Sequence, residues 1–381
     1  MNVTPQAPRT RYDVMAVLFG TALLSITIVP AYGLWHGYEP WLWAWFFVLM
    51  AWNGLSITAG YHRLWSHKSY VAHPIVRLLF ALGGALSVQN TIKQWCTNHR
   101  DHHRYVDDEQ KDPYSAKRGL FYSHMGWMLK DYPATISDYS NVADLSRDPI
   151  VNWQHRYYWP LAFGLNILLP LGIGYSLGDP LGGLLLLGVL RLFVCHHTTF
   201  FINSLAHAFG QQPYSDANSS RDNPLIAFLT YGEGYHNFHH TFHWDYRNGI
   251  RWYQYDPTKW LIKSLSFLNL AHSLKRVPPE KIEKRVATMQ LKKTTERISR
   301  FQPVNTEQWL DLVEAEYEQL IDTLNEWSRC RQKWLELKRA SLRKRWQETE
   351  LRAELQKRLR ELESQLDFQR RQWRLLTQQF V

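Results

Sequence analysis

Long apolar runs alternate with polar clusters over the first two thirds of the chain, and the remainder is densely charged. Residues 14–35, VMAVLFGTALLSITIVPAYGLW, carry no charge, and as a helix they are long enough to cross a hydrocarbon core of about 30 Å. Residues 41–60, WLWAWFFVLMAWNGLSITAG, can cross back. Residues 158–178 form a third candidate span and 181–203 a fourth, with Arg191 inside it. The segment 74–88 is apolar but short and holds Arg77, which predicts an interfacial or re-entrant helix. The pattern predicts an all-α membrane protein with four transmembrane helices.

The links within each pair of spans, HGYEP and DPL, have no Lys or Arg, whereas the other connections are rich in both. The positive-inside rule then places these links outside and both termini in the cytosol, giving a multi-pass integral membrane protein. Trp35, Trp41, Trp43, Tyr157, Tyr158 and Trp159 fall where interfacial aromatics are expected. The first apolar run exceeds a signal-peptide core and lacks a small-residue cleavage site, so it is expected to remain as an anchor.

Composition changes this picture mainly at the C-terminus. The 381 residues are 45% hydrophobic, and a mean hydropathy of -0.38 conceals the division between the halves. Residues 281–381 hold 22 Lys/Arg against 16 Asp/Glu, and no Gly or Pro interrupts them after Trp309. Val313, Leu320, Trp327 and Trp334 recur every seven residues. Leu355, Leu359, Leu362, Leu366, Gln369, Trp373, Leu376 and Phe380 then alternate steps of four and three. This is a coiled-coil-like seam interrupted by Arg331 and Gln369, open either to packing within the chain or to self-association. Asn305 and Gln308 suit the start of the long helix, and the excess cations could lie on anionic lipid. No nucleic-acid partner is expected. The domains expected are 1–13 as an N-terminal tail, 14–275 as the membrane domain with its cap, and 276–381 as the helical extension.

The candidate chemistry lies in nine histidines in four clusters, each just past an apolar stretch. They are His62 and His67, then His99, His102 and His103, then His207, and finally His236, His239 and His240. With the topology above, all four clusters emerge on one face. The first of each triplet is followed at three and four residues, so a helix carries all three rings on one side. His62 and His67 are about 140° apart on an ideal helix, which suits a frayed or turning end. Nine imidazoles are too many for one ion and point to two ions sharing a site. Without metal, each unmet buried ring nitrogen would cost about 1–3 kcal/mol. Imidazole serves zinc, copper, iron and nickel alike, and a nitrogen-rich pair of ions beside alkyl chains favours iron and oxygen chemistry. His36, His73, His124, His155, His196, His197, His243 and His272 are read as ordinary hydrogen-bonded histidines. Cys96, Cys195 and Cys330 have no paired spacing and give neither a disulfide nor a thiolate site.

HRLWSH at 62–67, HRDHH at 99–103, NSLAH at 203–207 and EGYHNFHH at 233–240 resemble the motifs of the membrane-bound fatty-acyl desaturases, in particular the stearoyl-CoA Δ9 type and its bacterial relatives. The resemblance covers residues 14 to about 265. It implies a cytosolic histidine-rich helical cap holding two Fe ions, with O2 as co-substrate, and insertion of a cis double bond near the ninth carbon. It implies the nine histidines as iron ligands and Asn203 as a residue reaching one iron through water. Gln89, Trp95 and Thr199 match residues beside a kinked acyl tunnel, and Asn90 matches a head-group contact. Acyl-CoA members carry an Arg-Asp pair before the second box, where this chain has Thr97 and Asn98, so either acyl-CoA or an acyl lipid is the expected substrate. Asp101, Asp112 and Glu233 are candidates to orient ligand rings.

No His-Pro-Gly-Gly haem motif appears, so electrons are expected from a separate donor, ferredoxin or a cytochrome. Three alternatives stay open. A di-iron fatty-acid hydroxylase or alkane monooxygenase could use the same scaffold. A zinc-dependent membrane hydrolase would need only three or four of the histidines, and an inactive scaffold would work through its coiled coil.

Overall fold

The structure, a computed structural model, describes residues 8–136, 138–341 and 349–380. Residues 1–7 of the expected tail and 342–348 of the expected extension lie outside these. The described chain is mainly helical, and its one two-stranded sheet pairs Val71–Ala72 with Ala271–His272. It divides into two compact units, Met1–Gln212 with Ala217–Arg276, and Pro213–Asp216 with Val277–Val381.

In the first unit the main helices are α1 (Tyr12–Trp35), α2 (Pro40–Ser66), α3 (Pro74–Leu86), α4 (Ile92–Tyr105), α5 (Pro149–Arg156), α6 (Tyr158–Ser176), α7 (Pro180–Ala208), α8 (His236–Thr241) and α9 (Pro257–Phe267). Four of them, α1, α2, α6 and α7, are long and apolar enough to cross a membrane. Burial separates inner from outer helices. The most apolar windows of α2 and α7 are 56% and 50% buried, against 17% and 22% for α1 and α6. Leu42, Phe46 and Leu49 of α2 accordingly pack with Leu186 and Leu187 of α7 in one core cluster. The outer helices expose apolar side chains, with Trp35 at 84% and Trp159 at 67% of full exposure near their ends. That distribution suits lipid rather than water.

Helix α3, with 13 residues, is about 20 Å long and too short to span. It starts from His73, whose Nδ1 accepts from the Ile75 N–H, with Pro74 in the first turn. Its inner face touches α2 so closely that a Cβ at Gly84 would lie 2.1 Å from the Tyr61 ring. Tyr61 is also held by Gln154 of α5, whose Nε2 donates to the phenol oxygen at 2.5 Å. Gln154 Oε1 in turn accepts from the Ile92 N–H at the start of α4. One buried glutamine thereby ties the floor of the cap to the spans.

The second unit is built from α10 (Pro279–Phe301), α11 (Thr306–Ser341) and α12 (Thr349–Gln378). Val313, Leu320 and Leu324 of α11 pack against Leu366, Trp373 and Leu376 of α12, with Ala287 and Ile298 of α10 closing the core. Trp309 meets Phe380 edge-on at 5.4 Å, so α11 and α12 run antiparallel. The stripe that the sequence offers for a coiled coil is thus covered within the chain. Asn305 does not cap α11 in the expected way. Its backbone is left-handed, with φ 64°, where an N-cap needs extended geometry.

Candidate metal centre

Four elements deliver the nine clustered histidines. Helix α4 begins at Thr91, whose Oγ1 accepts from the Gln94 N–H, and its regular turns align His99, His102 and His103. Helix α8 is only six residues long, and Asp222 holds its first turn by accepting from the Asn237 and Phe238 N–H groups at 2.8 and 3.0 Å. It carries His236, His239 and His240. His207 closes α7.

His62 and His67 differ from the sequence expectation. The end of α2 does not fray but winds as a π-helix over Ser56–Ser66, and the His67 N–H donates to His62 O, five residues back, at 3.1 Å. The wider turn brings positions i and i+5 onto one face, with the two ring centroids 4.9 Å apart.

The rings converge in two groups, His62, His67, His99, His103 and His239 in one, His102, His207, His236 and His240 in the other. Within each, one nitrogen per ring lies within 4.8 Å of all the others. His239 Nε2 is 2.9 Å from Nε2 of both His62 and His103. His240 Nε2 is 3.1 Å from that of His236 and 3.3 Å from that of His102.

Their outer nitrogens explain why these contacts need a cation. His62 Nδ1 donates to Glu233 Oε2 and His102 Nδ1 to Asp112 Oδ1, both at 2.9 Å. A proton fixed on Nδ1 leaves Nε2 as a bare lone pair. Burial, and then the neighbouring rings, push His67, His99, His103, His239 and His240 well below the usual imidazole range, so these rings stay neutral. Neutral lone pairs converging at about 3 Å repel one another unless a cation lies between them. Five and four imidazole nitrogens without thiolate are a donor set that fits two borderline divalent metals.

Glu233 is the most constrained carboxylate of the site. Burial alone would raise its pKa, but the Arg63 guanidinium and then His62 hold it down at about 2. Arg63, 1% exposed, bonds Glu233 Oε1 at 2.8 Å and Asp256 Oδ2 at 3.1 Å. Asn248 Nδ2 donates to Glu233 Oε2 at 2.6 Å. Asp101 meets Asn141 rather than a ring, accepting from its amide at 2.9 Å.

Sequence reasoning missed three supports. The Tyr114 hydroxyl lies 3.1 Å from His99 Nδ1. Ser219 Oγ lies 2.8 Å from His207 Nδ1 and is itself bonded to Asp107. The Arg63–Asp256 pair stands behind Glu233. Only Arg63, a charge at the end of an apolar run, left a trace in the sequence. A tenth ring, His243, read as ordinary, lies 5.5 Å from His67 and 5.8 Å from His103 between centroids.

A cavity of about 570 Å³ reaches the rings, with His62, His99, His102 and His236 in its wall. Gln89, Asn90, Trp95, Thr199 and Asn203 line the same space. Gln89 Nε2 donates to Thr199 Oγ1 at 2.9 Å, and Trp95 stacks on His99 at 4.8 Å. Val88 and Asn90 both have positive φ, 50° and 75°, which is strained for a β-branched residue and turns Gln89 toward α7.

Asp222→Ala is expected to remove the cap of α8 and cost about 0.5–2 kcal/mol. Thermal unfolding of the metal-free chain checks this. An unchanged midpoint would show that α8 is held by its rings alone.

Sequence comparisons agree with this geometry. The model of the fatty acid desaturase family matches residues 39–266. Acyl-CoA desaturase 1 of Saccharomyces cerevisiae is 47% identical over 246 residues, 64% of this chain and 48% of that protein. The probable acyl-CoA desaturase of Schizosaccharomyces pombe is 45% identical over 247 residues, 64% of this chain and 51% of its own length. The chain thus spans about half the length of these two yeast relatives. Stearoyl-CoA desaturase 5 of Bos taurus is 35% identical over 280 residues, 72% of this chain and 81% of that protein. The matched region contains all nine rings and most of the residues that line the cavity beside them, and the chain belongs to the fatty acid desaturase family.

Proposed function

We propose that this integral membrane protein is an oxygen-dependent fatty-acyl desaturase that places a cis double bond near the ninth carbon of a saturated chain. The single observation carrying this reading is the pair of imidazole groups beside a cavity that Gln89, Trp95 and Thr199 also line. Both termini and the cap lie on the cytosolic side in this reading, because the links within the paired spans lack Lys and Arg. The domains assigned are the tail 1–13, the desaturase domain 14–275 and the extension 276–381.

Two irons bound by the nine histidines would supply an oxidant strong enough to remove hydrogen from an unactivated methylene. Two adjacent methylenes lose one hydrogen each, and with one O2, two electrons and two protons the products are an alkene and two waters. The chain's own residues decide which carbons react. In this reading the Gln89–Thr199 hydrogen bond and Trp95, stacked on His99, line the acyl path and bend the chain as it passes the rings. Glu233 and Asp112 keep His62 and His102 in the tautomer that offers Nε2 inward. Asn203, also in the cavity wall, is assigned a water-mediated contact to one iron. Asn90 is assigned to the head group of acyl-CoA or an acyl lipid, and a separate one-electron protein supplies electrons.

Expression in a host that lacks unsaturated fatty acids tests the reading. A new cis-alkene at the ninth carbon and about two irons per chain are expected. An alcohol product would instead indicate a hydroxylase, and zinc without iron would indicate a hydrolase.

A further inference from the structure

Each ring group has half-buried members, His67 and His103 in the five-ring group and His240 in the other, and His243, beside the first two, is exposed. Its ring sits 5.5 Å from His67 and 5.8 Å from His103 between centroids, so it links solvent to the five-ring group through van der Waals contact. Among the described residues, no hydrogen bond or ion pair to His243 accounts for its position.

The surface around this edge is cationic. Lys68 and Arg104 follow His67 and His103 directly, and both are exposed. Lys275 and Arg276, also exposed, are anchored beside them. The Lys275 N–H donates to Ser69 O at 2.8 Å, and Arg276 donates to the Tyr246 hydroxyl at 2.7 Å. The local acids are already engaged. Asp144 is shared between Lys68 and Arg100, Asp245 is held by Arg247, and Asp101 accepts from Asn141. Among the residues just named, Lys68, Arg100, Arg104, Arg247, Lys275 and Arg276 outnumber Asp101, Asp144 and Asp245, next to the only exposed ring that touches the five-ring group among the described residues.

We infer that this edge, with His243 at its centre, is the docking surface for an acidic one-electron carrier protein, and that His243 is where its electrons enter the five-ring group. The inference rests on the functional reading above. Each turnover then oxidises two carriers by one electron each, and the electrons end in the water formed from O2. Transfer rates fall exponentially with the gap between donor and acceptor. An exposed ring in contact with two ring-group members shortens that gap, and the flanking cations orient a carrier of opposite charge.

The test uses the full chain in nanodiscs. An acidic [2Fe–2S] ferredoxin and an acidic soluble b-type cytochrome are titrated onto the metal-free protein across a range of salt. At least one is expected to bind with an affinity that falls roughly tenfold or more between low and physiological ionic strength, while a basic c-type cytochrome does not bind. K68E/R104E should weaken binding roughly tenfold. H243F should slow the stopped-flow reduction of the iron-loaded centre by roughly tenfold at saturating carrier, where a change in affinity no longer contributes. Salt-independent binding, or equal binding of the basic carrier, overturns the docking surface without any variant. Unaltered reduction in H243F overturns the entry point. Alkene formation without salt-dependent carrier binding sinks this inference alone, whereas carrier binding without alkene sinks the functional reading.

Discussion

His239→Ala is expected to lose one bound metal and all alkene production. His239 Nε2 is the common neighbour of His62 and His103, 2.9 Å from each, so its removal takes away the central donor of the five-ring group. Loss of a ligand should exceed the 10- to 100-fold penalty typical of removing a residue that only orients one. The metal-free protein should behave in the opposite sense. Fewer neutral lone pairs then face one another, so H239A without metal should unfold at the same temperature as the parent or higher. Added iron should raise the parent's midpoint by mass action and raise that of the variant much less. His102→Ala should do the same for the four-ring group, where His240 Nε2 lies 3.3 Å away. Metal analysis paired with thermal melts checks both. Full metal and full activity in either variant would refute the ligand assignment.

Much of this was legible in the sequence, because the strongest signals were periodic or charged. Four apolar runs, three of them uncharged, and the i, i+3, i+4 spacing of two histidine triplets translate directly into spans and ring faces. The π-winding of α2 was not legible, since His62 and His67 are out of phase on an ordinary helix and only the wider turn reunites them. Tyr114 and the Ser219–Asp107 pair come from loops, where no periodicity marks which side chain will reach a ring. Asp101 shows the converse. It sits between ligands in sequence, but its position on α4 turns it toward Asn141. The C-terminal stripe was correctly read as apolar, yet a heptad pattern is silent on whether its partner is another copy or a second helix of the same chain. Here α12 supplies the partner.

Glu233→Gln should be the most damaging single change outside the rings, because it breaks two functions with one atom. Glu233 Oε1 accepts from Arg63 at 2.8 Å, and Oε2 accepts from both His62 Nδ1 and Asn248 Nδ2, at 2.9 and 2.6 Å. An amide replaces one acceptor with a donor, so either Arg63 or His62 meets an N–H, and Arg63 is left with Asp256 as its remaining charged partner. Uncovering a buried ion pair in this way costs about 3–5 kcal/mol. Metal affinity should fall about 10- to 100-fold as His62 loses its fixed tautomer. The dependence on acid separates the two effects. The carboxyl is held at about 2 in the folded chain against an ordinary 4.5. Its contribution is therefore fully present above the ordinary value and drains away as pH falls from there toward 2. Metal-free parent protein should lose unfolding free energy over that window, and E233Q should start lower and lose less. Matching slopes in the two proteins would mean that Glu233 is not the carboxylate held by Arg63, and the orienting role assigned to it would fall with that result.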